Sequence, residues 1–155
     1  MTQSGVLPHE LGPWIDAYVR EVRLQRVVDG DTFWAVVDLG YDVHVRQCFR
    51  LLGYDAPECR GLTKGMGVQA RGALAGFLAQ AARLCVRSVK SDQYGRYLAD
   101  VYAYYATHVS VGYATYEGWV NVNDELYALG FGRRTGPSGR RQPWEFDAEY
   151  PRAVE

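Results

Sequence analysis

The chain has no surplus of positive charge: 17 lysines and arginines meet 18 aspartates and glutamates, for a formal net charge of -1 at pH 7. A protein that gathers polyanions through the field of the whole molecule carries a basic excess, so that mode of binding is excluded. Any recognition of phosphate must come from arginines placed locally. Long apolar runs are missing too. No stretch approaches the roughly 20 residues that span a bilayer. The start, Met1-Thr2-Gln3-Ser4-Gly5, lacks the basic and apolar regions of a signal peptide. The expectation is a cytoplasmic chain with no membrane contact. Cysteine is sparse, and Cys48, Cys59 and Cys85 are odd in number with no C-x-x-C spacing. Neither a disulfide framework nor a cysteine zinc site is indicated, which leaves packing or surface thiols.

What is present is the material for one domain. At 155 residues a chain can bury roughly two-thirds of its unfolded surface around a single core. Residues 22–28 and 32–39 are rich in Val, Phe and Trp and flank Asp29-Gly30, which reads as two strands around a turn. In residues 43–52, Val43, Val45, Phe49 and Leu51 fall on one face and His44, Arg46, Cys48 and Arg50 on the other, the alternation of a half-buried strand. Beyond a Gly-rich stretch, Ala70, Ala73, Leu74, Phe77, Leu78 and Ala81 recur at spacings of three and four, an amphipathic helix. Residues 84–89 and 97–104 read as two more strands. A second helix starts at Asn121 or Asn123 as N-cap, carries Asp124 and Glu125 in its first turn, and stops at Gly130. Three strands, helix, two strands, helix predict an α+β, mainly β fold: a five-stranded OB-type Greek-key barrel with two to three helices, its sheet edges sealed by near closure.

This places the domain at residues 18–132, after an N-terminal extension at 1–17 and before an arginine-containing flexible tail at 133–155 with Arg133, Arg134, Arg140 and Arg141. Residues 105–119 are aromatic and long for a connection, which predicts a hairpin insertion packed over the barrel. Its alternatives are a stacking surface for bases or a self-association surface.

Charge concentrates where strands end: Asp29-Gly30-Asp31-Thr32, Arg50 to Asp55, Asp55-Ala56-Pro57-Glu58, and Gln93-Tyr94-Gly95-Arg96. Each alone is an ordinary turn or strand start. Together they supply what phosphodiester hydrolysis needs. Negative charge builds on the phosphoryl oxygens in the transition state, so cationic donors must be fixed there beforehand. Arg50 and Arg96 suit that role, because a guanidinium stays charged and can clamp two phosphate oxygens. Asp31 and Asp55 offer the carboxylate oxygens that calcium or magnesium prefers. Glu58, three residues past Asp55, could orient or deprotonate a water.

In order and spacing, Asp-Gly-Asp-Thr after a first strand, Arg-x-x-x-x-Asp-x-Pro-Glu after a third and Asp-x-Tyr-Gly-Arg before a fifth resemble the staphylococcal nuclease (thermonuclease) family. Val-Asn-x-x-Leu-x-x-x-Gly at 122–130 is similar to that family's second helix. The resemblance implies a calcium-dependent phosphodiesterase acting on DNA and/or RNA. It makes Asp31, Asp55 and the backbone carbonyl of Ala56 the ligands of Ca2+, Glu58 the water-activating carboxylate, and Arg50 and Arg96 the phosphate clamps, with Arg96 assisting the leaving oxygen. Tyr94 would contact the nucleotide, and Asp29 would add negative potential near the ion.

Departures from the family pattern bear on specificity. Ala56 stands where threonine is common, Gln93 where a lysine helps hold a terminal phosphate, and Phe131-Gly132-Arg133-Arg134 where a tyrosine flanks the base. Trp144 to Glu149 is all that could remain of a third helix. Two other readings share the barrel: a nucleic-acid-binding module with negligible turnover, and an assembly subunit. A monomer is expected. A nuclease without an export signal fits a phage or mobile-element product, or a protein exported by another route.

Overall fold

The computed structural model describes residues 19–135. The extension at 1–17, Arg140, Arg141 and the segment from Trp144 to Glu149 lie outside the described residues. The described elements are β1 (Val19–Asp29), β2 (Thr32–Asp38), β3 (His44–Leu51), β4 (Tyr54–Asp55), a 3-10 turn (Gly61–Thr63), α1 (Lys64–Ala79), β5 (Arg83–Ser91), β6 (Tyr97–Val111), β7 (Ala114–Asn121), α2 (Val122–Ala128) and β8 (Arg133–Arg134). The fold is α+β and mainly β, a six-stranded sheet with two helices, in the order β3-β2-β1-β5-β6-β7. Neighbours along that order run antiparallel. In addition β3 pairs in parallel with the start of β6, Arg50 opposite Leu98. Neither described helix is long and apolar enough to cross a membrane.

One core cluster holds the body together. Phe33 and Phe49 face each other at 5.6 Å between ring centroids, and Leu74, Phe77 and Leu78 of α1 come down onto the sheet, each 2% exposed or less. Burying side chains of this size is worth about 2–3 kcal/mol apiece, which is why the apolar stripe of α1 and not its helix propensity fixes its place.

The alternation expected of β3 does not appear in its burial, which changes along the strand and not across it. Cys48, Phe49, Arg50 and Leu51 are all buried, whereas Val43 and Val45 are 49% and 41% exposed. The C-terminal half of β3 lies between β2 and β6 and is covered on both faces, which a period-2 pattern does not reveal. The turn before β3 also departs from routine: Gly40, Tyr41 and Asp42 all take positive φ.

The sheet has one strand more than the five expected, because residues 105–119 are not an appendage. They continue β6 to Val111, turn at Gly112-Tyr113 and return as β7. The hairpin is tied to both helices. Tyr105, 1% exposed, donates its hydroxyl to the Phe77 carbonyl of α1 at 2.6 Å, and Tyr116 donates to Glu125 Oε2 of α2 at 3.0 Å. Burial raises the phenol of Tyr105 far above its ordinary value. It pushes that of Tyr116 up to about 12, with the Glu125 hydrogen bond and charge adding to the shift.

Of the two asparagines that could start α2, Asn121 is the cap: its side chain accepts from the Asp124 N–H at 3.2 Å. Asn123 does something else. Its Oδ1 accepts from the Val101 N–H at 3.0 Å, and its Nδ2 donates to the carbonyls of Leu52 and Ala99 at 2.9 and 3.1 Å. A 5%-exposed amide thus joins α2, β6 and the segment that leads from β3 to β4. Buried backbone groups need such partners.

Candidate functional site

The turn between β1 and β2, the end of β3 and the β4 loop meet at one place, and Gly30 makes the meeting close. It does not take positive φ, the usual reason for Gly after Asp in a hairpin turn. Its requirement is space: a Cβ there would sit 2.6 Å from Ala70 Cβ of α1 and 2.8 Å from Ala56 Cβ. The turn carrying Asp31 is therefore pressed against the residue after Asp55.

Asp31 and Asp55 are 1% and 0% exposed. Asp31 Oδ1 accepts from Thr32 Oγ1 at 2.8 Å, and Asp31 Oδ2 accepts from the Ala56 N–H at 3.1 Å. Arg50 lies between the two carboxylates. Its Nη2 donates to Asp55 Oδ1 at 3.0 Å and stands 3.9 Å from Asp31 Oδ2, with 10% of its side chain exposed. The buried Nε of Arg50 has no hydrogen-bond partner among the described residues. That is an expensive arrangement for a charged donor unless another acceptor completes it.

The second oxygen of Asp55 is held by a residue that motif reading did not select. Arg133 donates from Nε and Nη2 to Asp55 Oδ2 at 3.3 and 3.2 Å. It can do so because β8 pairs antiparallel with β4, Arg133 opposite Asp55. The boundary drawn at residue 133 thus falls inside the folded body, and Arg133 and Arg134 belong to a strand. Gly132 permits the pairing, since a Cβ there would overlap the ring of Tyr54, itself 1% exposed. No local signal marks Arg133 as a partner of Asp55, 78 positions away along the chain; the sequence shows it only as one of the arginines expected in a tail.

Glu58 sits on the loop that follows. Thr63 Oγ1 donates to its carbonyl at 3.0 Å, and Gly67 of α1 packs so closely that a Cβ would overlap that carbonyl. The backbone of Glu58 is therefore pinned, while its side chain is 45% exposed and 3.9 Å from Arg60. The neighbouring Cys59 thiol locates this loop: burial raises it first, then a hydrogen bond to Asp29 and that carboxylate's charge, with a further push from Asp31. The Glu58 loop thus lies against the Asp29–Asp31 turn.

Arg96 is fixed separately. Gly95, with φ of 75°, closes a turn in which Asp92 Oδ1 accepts from the backbone N–H of Tyr94 and of Arg96 at 2.8 and 3.0 Å. Arg96 Nε donates to Asp92 Oδ2 at 2.7 Å. Burial works to raise the Asp92 carboxyl, but these bonds and the Arg96 charge outweigh it and hold it below its usual value. The Arg96 guanidinium lies 5.1 Å from the Tyr94 ring centroid, and Tyr94 is 73% exposed. β3 and the start of β6 run side by side, Arg50 opposite Leu98, and Gln47 of β3 donates from Nε2 to the Gly95 carbonyl at 3.3 Å, so the turn that carries Arg96 lies beside β3.

Asp31, Arg50, Asp55 and Ala56 are thus joined by direct contacts, with Glu58 and Arg96 on the flanking loops and Tyr94 beside Arg96. Among the described residues no three His, Cys, Asp or Glu side chains form a preassembled metal-ligand group. The donors available to a cation are the two carboxylates and backbone carbonyls, a set of hard oxygens that suits calcium or magnesium and not a soft metal. Comparison with family profiles and with curated proteins returns no match to this chain.

Proposed function

We propose that the chain is a calcium-dependent phosphodiesterase that hydrolyses DNA and/or RNA. The observation that carries the reading is a pair of buried carboxylates, Asp31 and Asp55, sharing one buried guanidinium whose Nε lacks a partner among the described residues. Two carboxylates with Arg50 and Arg133 are balanced in charge. When the arginines turn to a phosphate diester, the carboxylates keep the charge of -2 that a divalent cation complements. This hard-oxygen set suits Ca2+, which Asp31, Asp55 and the Ala56 carbonyl would hold. When bound, the ion would supply Lewis-acid polarisation of the phosphoryl group.

The protein's own groups do the rest. Arg50 donates to the phosphoryl oxygens, and its bonds strengthen as charge develops there. Glu58, on a backbone pinned by Thr63 and Gly67, accepts the proton of the attacking water. Arg96, steadied by Asp92, faces the leaving oxygen, and Tyr94 contacts the adjacent nucleotide. Arg133 adds a third guanidinium on the Asp55 side. The pairings β1–β2, β2–β3, β3–β6, β6–β5 and β5–β1 return to their origin, which supports the five-stranded OB-type barrel as the scaffold.

The test is degradation of single- and double-stranded DNA and RNA by the purified full chain, in millimolar calcium and in excess chelator. Cleavage in calcium that chelator abolishes is expected. A folded chain that leaves every substrate intact in calcium contradicts the proposal.

A further inference from the structure

The outer face of β1, β2 and β3 is unlike the rest of this nearly neutral molecule. Its register forms two rows that cross the strands: Arg23, Val36 and Arg46, then Arg26, Trp34 and Cys48. A third row, Asp29, Thr32 and Arg50, continues the face into the candidate site. Residues 22–28, 33–37 and 44–51 contain Arg23, Arg26, Arg46 and Arg50 but no aspartate or glutamate.

Arg23, Arg26 and Arg46 are exposed. Arg46 places its guanidinium 4.0 Å from the Trp34 ring centroid and donates from Nε to Gln25 Oε1 at 2.6 Å. Neither Arg23 nor Arg26 has a carboxylate partner among the described residues, whereas Arg83, Arg87, Arg96, Arg133 and Arg134 each have one. The Cys48 thiol, raised by burial, is drawn back by Arg96 and also by Arg26 and Arg46. Arg26, Arg46 and Arg96 thus all act on Cys48, and the third row makes the face continuous with the candidate site.

We propose that this face is a track for single-stranded nucleic acid, on which a base stacks against the Arg46–Trp34 pair while Arg23 and Arg26 face successive phosphates, leading the strand to Arg50 and Arg96. An arginine held on an indole ring gives a flat, cationic platform that unpaired bases can use and stacked duplex bases cannot. The first two rows carry no carboxylate of their own, so like charge meets the phosphates only at the site end, where Asp29 stands in the third row. Because the chain as a whole has no basic excess, such a local track is what would make a polymer a better substrate than a single diester. The proposal rests on the phosphodiesterase reading.

The test compares the full chain with Trp34→Ala and with the double variant Arg23→Gln/Arg26→Gln. It uses a fluorescein-labelled oligodeoxythymidylate that can cross the face and a nitrophenyl diester of thymidine too short to reach it. With chelator present, Trp34→Ala is expected to weaken oligomer binding about tenfold. The double variant is expected to lower the slope of log affinity against log salt by about 1.4, the counterion release of two phosphate contacts. In calcium, both variants should hydrolyse the small diester as the unaltered chain does. Oligomer binding and salt slope unchanged in both variants would overturn the track, as would an unaltered chain that does not bind the oligomer at low salt. A duplex that binds as tightly and responds equally to both variants overturns the single-strand assignment. If the unaltered chain cleaves neither substrate yet both variants lose oligomer affinity, the track stands and the hydrolytic reading fails.

Discussion

Arg50→Ala is expected to lower turnover by about a hundredfold or more, the usual effect of removing a fixed donor from a developing oxyanion, and to destabilise the calcium-free protein. The second effect follows from burial. Arg50 is 8% exposed and stands between Asp55 and Asp31, both at 1% or less. Removing one partner of a buried pair leaves an uncompensated charge, which costs about 3–5 kcal/mol. The low end applies, because Arg133 still holds Asp55 Oδ2 and the Ala56 N–H still holds Asp31. For a chain of this size that loss lowers the melting temperature by about 6–12 °C.

Calcium should return much of this stability in Arg50→Ala, since a ligand of the native state alone stabilises by mass action and here replaces the missing positive charge. Arg50→Lys separates the two roles. Its ammonium restores charge and stability but not the two-pronged hold on phosphate, so the melting temperature should recover while turnover stays low. Thermal melts with and without calcium, beside initial rates on one substrate, check both halves. An Arg50→Ala protein that melts like the unaltered chain and is not further stabilised by calcium would show that Arg50 does not balance the two carboxylates.

Glu58→Gln should lower turnover by about a hundredfold or more with little else changed. Its side chain is 45% exposed, and its loop is held through backbone contacts with Thr63 and Gly67 that the substitution leaves alone. Melting temperature, calcium affinity and oligomer binding should stay near those of the unaltered chain. A rate within a few-fold of normal would move the proton-accepting role to another group.

The two predictions differ because Arg50 and Glu58 differ in burial, and the sequence did not distinguish them. Alternation put Arg50 on the polar face of β3, yet β6 runs parallel beside that end of the strand and covers it. A period of two reports faces, not which neighbour closes over them. Local signals did better where the chemistry is local. The apolar stripe found α1, and the asparagine, acidic first turn and glycine stop found α2, with the cap assigned to Asn121 once backbone contacts decided between the two asparagines. The Asp-Gly turn was legible, but its glycine is there for clearance against Ala56 and Ala70 and not for a left-handed conformation.

Long-range partners were the least legible. Arg133 reaches Asp55 through a two-residue strand, and Asn123 ties three segments at once. Nothing in the composition around either residue announces a partner far along the chain. The arginine face was hidden for a related reason: Arg23, Arg26 and Arg46 are spread over two strands and come together only in the register of the sheet.

Calorimetric titration of calcium into the unaltered chain and into Asp31→Asn tests the central claim most directly. One calcium bound per chain, with affinity at least about tenfold weaker in Asp31→Asn because a charged oxygen ligand is lost, is the predicted result. Equal binding heats and affinities in the two proteins, or no binding to either, would contradict it.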